Sequence, residues 1–187
     1  PFEKEKSVRL CVILIIDKSG SMGQPAKKIV AARASAEALV SQLQPNDMVG
    51  IIPFDYDYRV LVPLGPVGND RLSIIDLIRR IQPGGDTAMG RPMAEALRQM
   101  SASDCKVKHV IVITDGETKD LKRFDYRGLI AECAGRGITV STIGIGSLFW
   151  GSYSDFLRAI AVGTGGEYYQ VKDAGTLPMI VLADTRK

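Results

Sequence analysis

The stretch LCVILIIDKSGSMG, Leu10 to Gly23, decides how this chain folds. Seven apolar residues, Leu10 to Ile16, stop abruptly at Asp17, and Ser19 and Ser21 follow at alternate positions. Gly20 and Gly23 leave the backbone free to turn there. An apolar run bounded by turn chemistry reads as a strand buried on both faces. Three oxygen-bearing side chains at its carboxyl end, spaced D-x-S-x-S, form one wall of a site for a hard cation.

Working outward, the hydrophobic period switches repeatedly between strand and helix. Val8 to Ile16 is the first strand, after a polar, frayed lead-in from Pro1 to Ser7. Ile29, Ala32, Ala36, Leu39, Val40 and Leu43 recur at helical spacing between Gln24 and Leu43, with Pro25 suited to the first turn. Met48 to Phe54 and Arg59 to Val62 read as two strands of a hairpin joined by Asp55 to Tyr58. Helices are expected over Asn69–Ile81, Met89–Met100, Phe124–Gly135, Ser154–Val162 and Leu177–Ala183. Val107–Thr114, Thr139–Ile145 and Glu167–Val171 supply the remaining strands. Strands alternating with helices predict an α/β fold: a mostly parallel sheet with one antiparallel edge strand and helices on both faces.

The chain has 187 residues, 45% of them apolar, and reads as one domain, 1–187, with its core over about 8–183. A net charge of +3, with acids among the densest basic clusters, gives no basic stripe interleaved with aromatics, so nucleic acid is not an expected partner. The longest apolar run falls far short of the ~20 residues of a membrane-spanning helix. No signal-peptide pattern is present. Because the chain opens on Pro1 and not Met, we expect a fragment of a larger protein, so missing targeting signals say little about location. Cys11, Cys105 and Cys133 show no C-x-x-C pairing, and their spacing points to three inert thiols, Cys11 acting as a small hydrophobe in the first strand.

In an open parallel sheet, ligands bind beyond the carboxyl ends of the strands where strand order reverses. Asp17 and Asp115 both end strongly apolar strands, and Gln82 to Thr87 is a Gly-rich loop leading into a helix on the same side. If the two strands are neighbours, two carboxylates and three hydroxyls (Asp17, Asp115, Ser19, Ser21, Thr87) converge, with no imidazole or thiolate. Such a set suits Mg²⁺, Mn²⁺ or Ca²⁺. Neutral hydroxyls leave the ion electrophilic, which favours an added carboxylate from a partner and points to binding in place of catalysis.

Asp17-Lys18-Ser19-Gly20-Ser21, Gly84-Gly85-Asp86-Thr87 and Thr114-Asp115-Gly116, in that order, resemble the von Willebrand factor A (vWA) domain with its metal-ion-dependent adhesion site. The resemblance covers roughly Val8 to Ala183. It is closest to bacterial members carried by larger membrane-associated proteins, in Ile143-Gly144-Ile145-Gly146 and Gly165-Gly166-Glu167-Tyr168-Tyr169. It implies a Rossmann-like three-layer sandwich. It also implies that Ser19, Ser21 and Thr87 ligate the ion directly or nearly so, and that Asp17 and Asp115 do so directly or through water. The expected partner is a protein presenting Asp or Glu, with no small-molecule substrate.

The family loop usually runs Gly-Gly-Thr, so Asp86 departs from it. Two roles are open to it: N-cap of the next helix, or a third carboxylate near the ion. Glu117 and Asp120 read as ordinary loop polarity. Phe149 and Trp150 suit either packing or partner contact.

Enzymatic readings find little support. The only histidine, His109, begins the strand that ends at Asp115, roughly 15–20 Å from the crevice at ~3.3 Å per residue, so a Ser–His triad does not fit. A Mg²⁺-dependent phosphatase with Asp17 as nucleophile is the stronger rival, but Ser19 stands where a general acid is needed. No nucleotide-binding G-x-x-x-x-G-K-[ST] or G-x-G-x-x-G follows the first strand. A scaffold domain with a lapsed metal site is the remaining alternative. The expectation is a cation-dependent interaction module and not an enzyme.

Overall fold

The first strand is central because both of its faces are apolar. The computed structural model describes residues 8–24, 27–146 and 152–187, apart from the Ser152 side chain. The expectations for the lead-in 1–7, for Pro25 and for Phe149-Trp150-Gly151 lie outside the described residues.

Strands β1 (Leu10–Asp17), β2 (Met48–Phe54), β3 (Val62–Pro66), β4 (Val107–Thr114), β5 (Ile138–Ile145) and β6 (Tyr168–Val171) form one sheet in the order β3-β2-β1-β4-β5-β6. Among the strand pairs of the described residues, only β2–β3 is antiparallel. The helices are α1 (Lys27–Gln42), α2 (Arg71–Arg79), α3 (Gly90–Ala102), α4 (Tyr126–Gly135), α5 (Ser152–Thr164) and α6 (Leu177–Thr185). Short 3₁₀ turns occupy Gly20–Gly23 and Ala174–Thr176.

Alternation along β1 builds the two outer layers. Val12, Leu14 and Ile16 pack with α1, α2 and α6 residues such as Leu39, Ile78 and Val181. Cys11, Ile13 and Ile15 face Met93, Leu129 and Leu157 of α3, α4 and α5. Burying a strand on both faces requires the continuous apolar run seen in the sequence. Strand order reverses between β1 and β4, whose register sets Ile16 opposite Ile113. Asp17 and Asp115 therefore leave adjacent strands on one side.

Two expectations need correction. The edge strand is Val62–Pro66, not Arg59–Val62. Tyr58 already bridges Phe54, and Arg59 and Leu61 donate backbone bonds to Pro53 and Ile51, so an irregular approach precedes the regular ladder. The cysteines are not all free thiols: Cys11 and Cys105 form a disulfide with Cα atoms 5.9 Å apart, and only Cys133 stays reduced and buried. Odd number and wide spacing conceal this pair, because only the fold brings β1 beside the turn before β4.

His109, at the amino end of β4, lies at the opposite end of the sheet from Asp115. Its Nε2 donates to Asp184 Oδ2 of α6 at 2.7 Å. Ser141 and Tyr169 donate to Asp184 Oδ1 at 3.0 and 2.9 Å, pinning the last helix to the sheet. Burial works against the Asp184 charge, but these bonds, that of His109 foremost, hold the carboxyl below its usual 3.8. A depressed carboxyl stabilises the fold above its unfolded pKa, and that contribution is lost as pH falls through the folded one. Asp184→Asn is expected to lose about 1–3 kcal/mol at neutral pH. In urea titrations the gap to wild type should close below the ordinary value of 3.8. A gap of constant size from neutral to acid pH would contradict this.

A carboxylate and hydroxyl cluster at the sheet switch point

The cluster is assembled by three loops that leave the carboxyl end of the sheet. After β1 the chain turns at once, because Asp17 Oδ1 accepts the Ser19 N–H at 2.8 Å and the 3₁₀ turn follows. Ser19 Oγ and Ser21 Oγ are 3.1 Å apart, and Ser21 Oγ donates to Asp115 Oδ1 at 2.7 Å. Thr114 Oγ1 crosses from β4 to donate to Asp17 Oδ2 at 2.7 Å. Asp17, Ser19, Ser21 and Asp115 thus form one hydrogen-bonded unit.

The loop from Gln82 to Thr87 closes over this unit. Gly84 N donates to Lys18 O at 2.7 Å, and Gly20 N to Gly85 O at 2.9 Å. Gly85 has a φ of +83°, and a Cβ there would stand 2.9 Å from Asp55, so only glycine fits. Asp55 is itself held by Lys18 Nζ at 2.5 Å. Thr87 O accepts from Lys119 N at 2.8 Å, and its Oγ1 lies 4.0 Å from where a Cβ on Gly116 would stand. Asp17, Ser19, Ser21 and Asp115 therefore meet at the switch point, and Thr87 lies beside Gly116, the residue after Asp115.

Their burial is uneven. Asp17, Ser19, Thr87 and Asp115 are 0–5% exposed, whereas Ser21 is exposed at the rim. Burial pushes the Asp17 carboxyl above its usual 3.8, although bonds from Ser19 and Thr114 oppose this, and the nearby Asp115 charge adds to the rise. Among the described residues no basic side chain pairs with Asp17, and the one cation reaching Asp115 is Lys28 of α1, its Nζ 2.6 Å from Oδ2. No three of His, Cys, Asp and Glu converge among the described residues, since the cluster has only two carboxylates. A desolvated carboxylate without a counter-charge, ringed by hydroxyl oxygens, is a set that a hard divalent cation would satisfy.

Asp86 does not cap the next helix, whose N-cap position is Met89. Its exposed side chain accepts from Thr87 N at 3.0 Å, a local turn bond. The start of α3 is capped from another loop: Thr118 Oγ1 accepts from Met89 N at 2.9 Å and Asp120 Oδ2 from Gly90 N at 2.9 Å. Tyr126 OH also donates to Asp120, so Asp120 serves the scaffold. Sequence reasoning missed Thr114, Thr118 and Lys28. The clue to Lys28 was its place at the amino end of α1, where the helix dipole disfavours a cation.

The profile of the von Willebrand factor type A domain matches residues 12–182, and the chain belongs to this family. A protein of unassigned function from Synechocystis sp. is 27% identical over 91% of the chain, which spans 40% of that protein's length. A solved structure of von Willebrand factor type A from Catenulispora acidiphila superposes with a TM-score of 0.88 at 27% identity, covering 96% of this chain and 42% of that one. An aerotolerance-related membrane protein from Bacteroides fragilis shares the fold, with a TM-score of 0.75 at 22% identity over 96% of this chain and 99% of that one.

Proposed function

We propose that this vWA domain is a divalent-cation-dependent protein interaction module that engages a carboxylate of its partner through a metal-ion-dependent adhesion site. The observation that carries the reading is the buried Asp17 carboxylate, 0% exposed and without a basic partner among the described residues, in one hydrogen-bonded unit with Ser19, Ser21 and Asp115. Asp17, Ser19, Ser21, Thr87 and Asp115 would hold the ion, with Mg²⁺ the first choice and Mn²⁺ or Ca²⁺ suited to the same donors. The bound cation supplies Lewis acidity toward an incoming Asp or Glu. The protein's own part is to fix the donors: Thr114 orients Asp17, Ser21 orients Asp115, and the Gly84–Gly85 backbone locks the Thr87 loop onto the turn after β1.

We read the same inventory as that of a binding module in preference to an enzyme. Ser19, not an acid, stands two residues after Asp17 where a general acid would be needed, and His109 is committed to Asp184 at the far end of the sheet. We infer a bacterial membrane-associated parent protein, in keeping with the membrane protein from Bacteroides fragilis that shares the fold. The Cys11–Cys105 disulfide fits an oxidising compartment. No helix among the described residues is long and apolar enough to cross a membrane.

Calorimetry with Mn²⁺ and Mg²⁺ tests the site. Wild type should give saturable binding, and Asp17→Ala or Thr87→Ala should weaken it by about 10–100-fold or more, the scale on which lost supporting groups act. Equal heats for wild type and Asp17→Ala would refute the assignment.

A further inference from the structure

Lys27 and Lys28 open α1, whose first turn holds no acidic residue. That end of a helix carries the positive pole of its dipole and disfavours cations. Lys28 nonetheless turns inward: its Nζ lies 2.6 Å from Asp115 Oδ2 and 3.5 Å from the Ser21 carbonyl oxygen. The Lys28 side chain is 17% exposed and that of Asp115 is 0% exposed. The other Asp115 oxygen accepts from Ser21 Oγ at 2.7 Å, so both oxygens of this carboxylate are engaged. The ammonium thus sits within the cluster of oxygens that the divalent ion would use.

We propose that Lys28 is a built-in counter-ion of the cluster, which a divalent cation must displace from Asp115 or share it with; the inference rests on the metal-site reading above. With Lys28 in place, two carboxylates and one ammonium leave one negative charge to attract the ion. Without it there would be two. Lys28 therefore lowers the affinity for the cation and tunes it to the concentration at which the module becomes competent. It also changes the loaded site. Two carboxylates, a divalent ion and an ammonium sum to one positive charge, which suits capture of an acidic side chain, whereas the site without Lys28 would be neutral.

The test is calorimetric titration of Mn²⁺ into wild type, Lys28→Met and Lys28→Arg, with folding checked by circular dichroism. Methionine keeps the aliphatic stem and removes the charge; Lys28→Gln serves if Lys28→Met does not fold. Lys28→Met should bind Mn²⁺ about tenfold tighter or more, as expected for removal of a close desolvated charge. Lys28→Arg, which keeps the charge, should stay within about threefold of wild type. Wild-type binding that Lys28→Met leaves equal or weakens would overturn the inference alone, even if the variant melts lower, since that marks a purely structural ion pair. Absence of Mn²⁺ binding by all three proteins would overturn the metal-site reading and this inference with it.

Discussion

Replacing Cys11 and Cys105 together by alanine should lower the melting temperature by on the order of 10–20 °C. The bridge joins β1 to the turn before β4 across a sequence separation of 94 residues. In the chain-entropy model a loop of about 100 residues stabilises by about 4.7 kcal/mol, and a domain of this size shifts by about 2–4 °C per kcal/mol. Alanine avoids adding a hydroxyl at Cys11, which is 0% exposed between the sheet and α3. Cys133→Ala, which removes a single buried thiol, is the control and should shift melting far less. With Cys105 only 6% exposed, a reductant should act slowly on the folded protein and quickly once it opens. Equal melting temperatures for wild type and the double variant would show that the bridge adds nothing to stability.

Asp17→Asn should separate stability from cation binding. The folded Asp17 carboxyl is raised above its usual 3.8, chiefly by burial, so its ionised form at neutral pH opposes folding. For an acid shifted in this direction, stability increases as pH falls through the folded pKa, the reverse of Asp184. Asparagine keeps the shape, and its carbonyl oxygen can still accept from Ser19 N. In EDTA the variant should therefore equal wild type within about 1 kcal/mol or exceed it. In saturating Mg²⁺ only wild type should gain, by about 2.7 kcal/mol at one hundred times the dissociation constant. Thermal melts with and without Mg²⁺ read both effects. A stabilisation by Mg²⁺ that persists in Asp17→Asn would place the ion elsewhere.

The central strand and the cluster were legible in the sequence for related reasons. A strand buried on both faces must be a continuous apolar run, so β1 and β4 announced themselves, and the acids stand at their carboxyl ends, Asp17 closing β1 and Asp115 following β4. The order of the strands is a long-range property, yet the alternation of β and α made their adjacency a narrow conditional. What stayed hidden depends on contacts without a local signature. The disulfide joins residues whose separation carries no pattern, and Val62–Pro66 pairs through an irregular ladder that alternation cannot foretell. Asp86 looked like a helix cap because Asp commonly is one, but α3 starts at Gly90 and takes its capping oxygens from Thr118 and Asp120 across the crevice. Lys28 sat in an amphipathic repeat as one more surface lysine.

The central claim is that one cation is held by Asp17, Ser19, Ser21, Thr87 and Asp115 together. Anomalous diffraction from crystals equilibrated with Mn²⁺ tests this most directly. The account predicts a single strong peak within coordination reach of the Ser19 and Ser21 hydroxyls, between Asp17 and Asp115, that is absent from Asp17→Ala crystals. A fully occupied Mn²⁺ elsewhere on the domain, with no peak among these five residues, would contradict it.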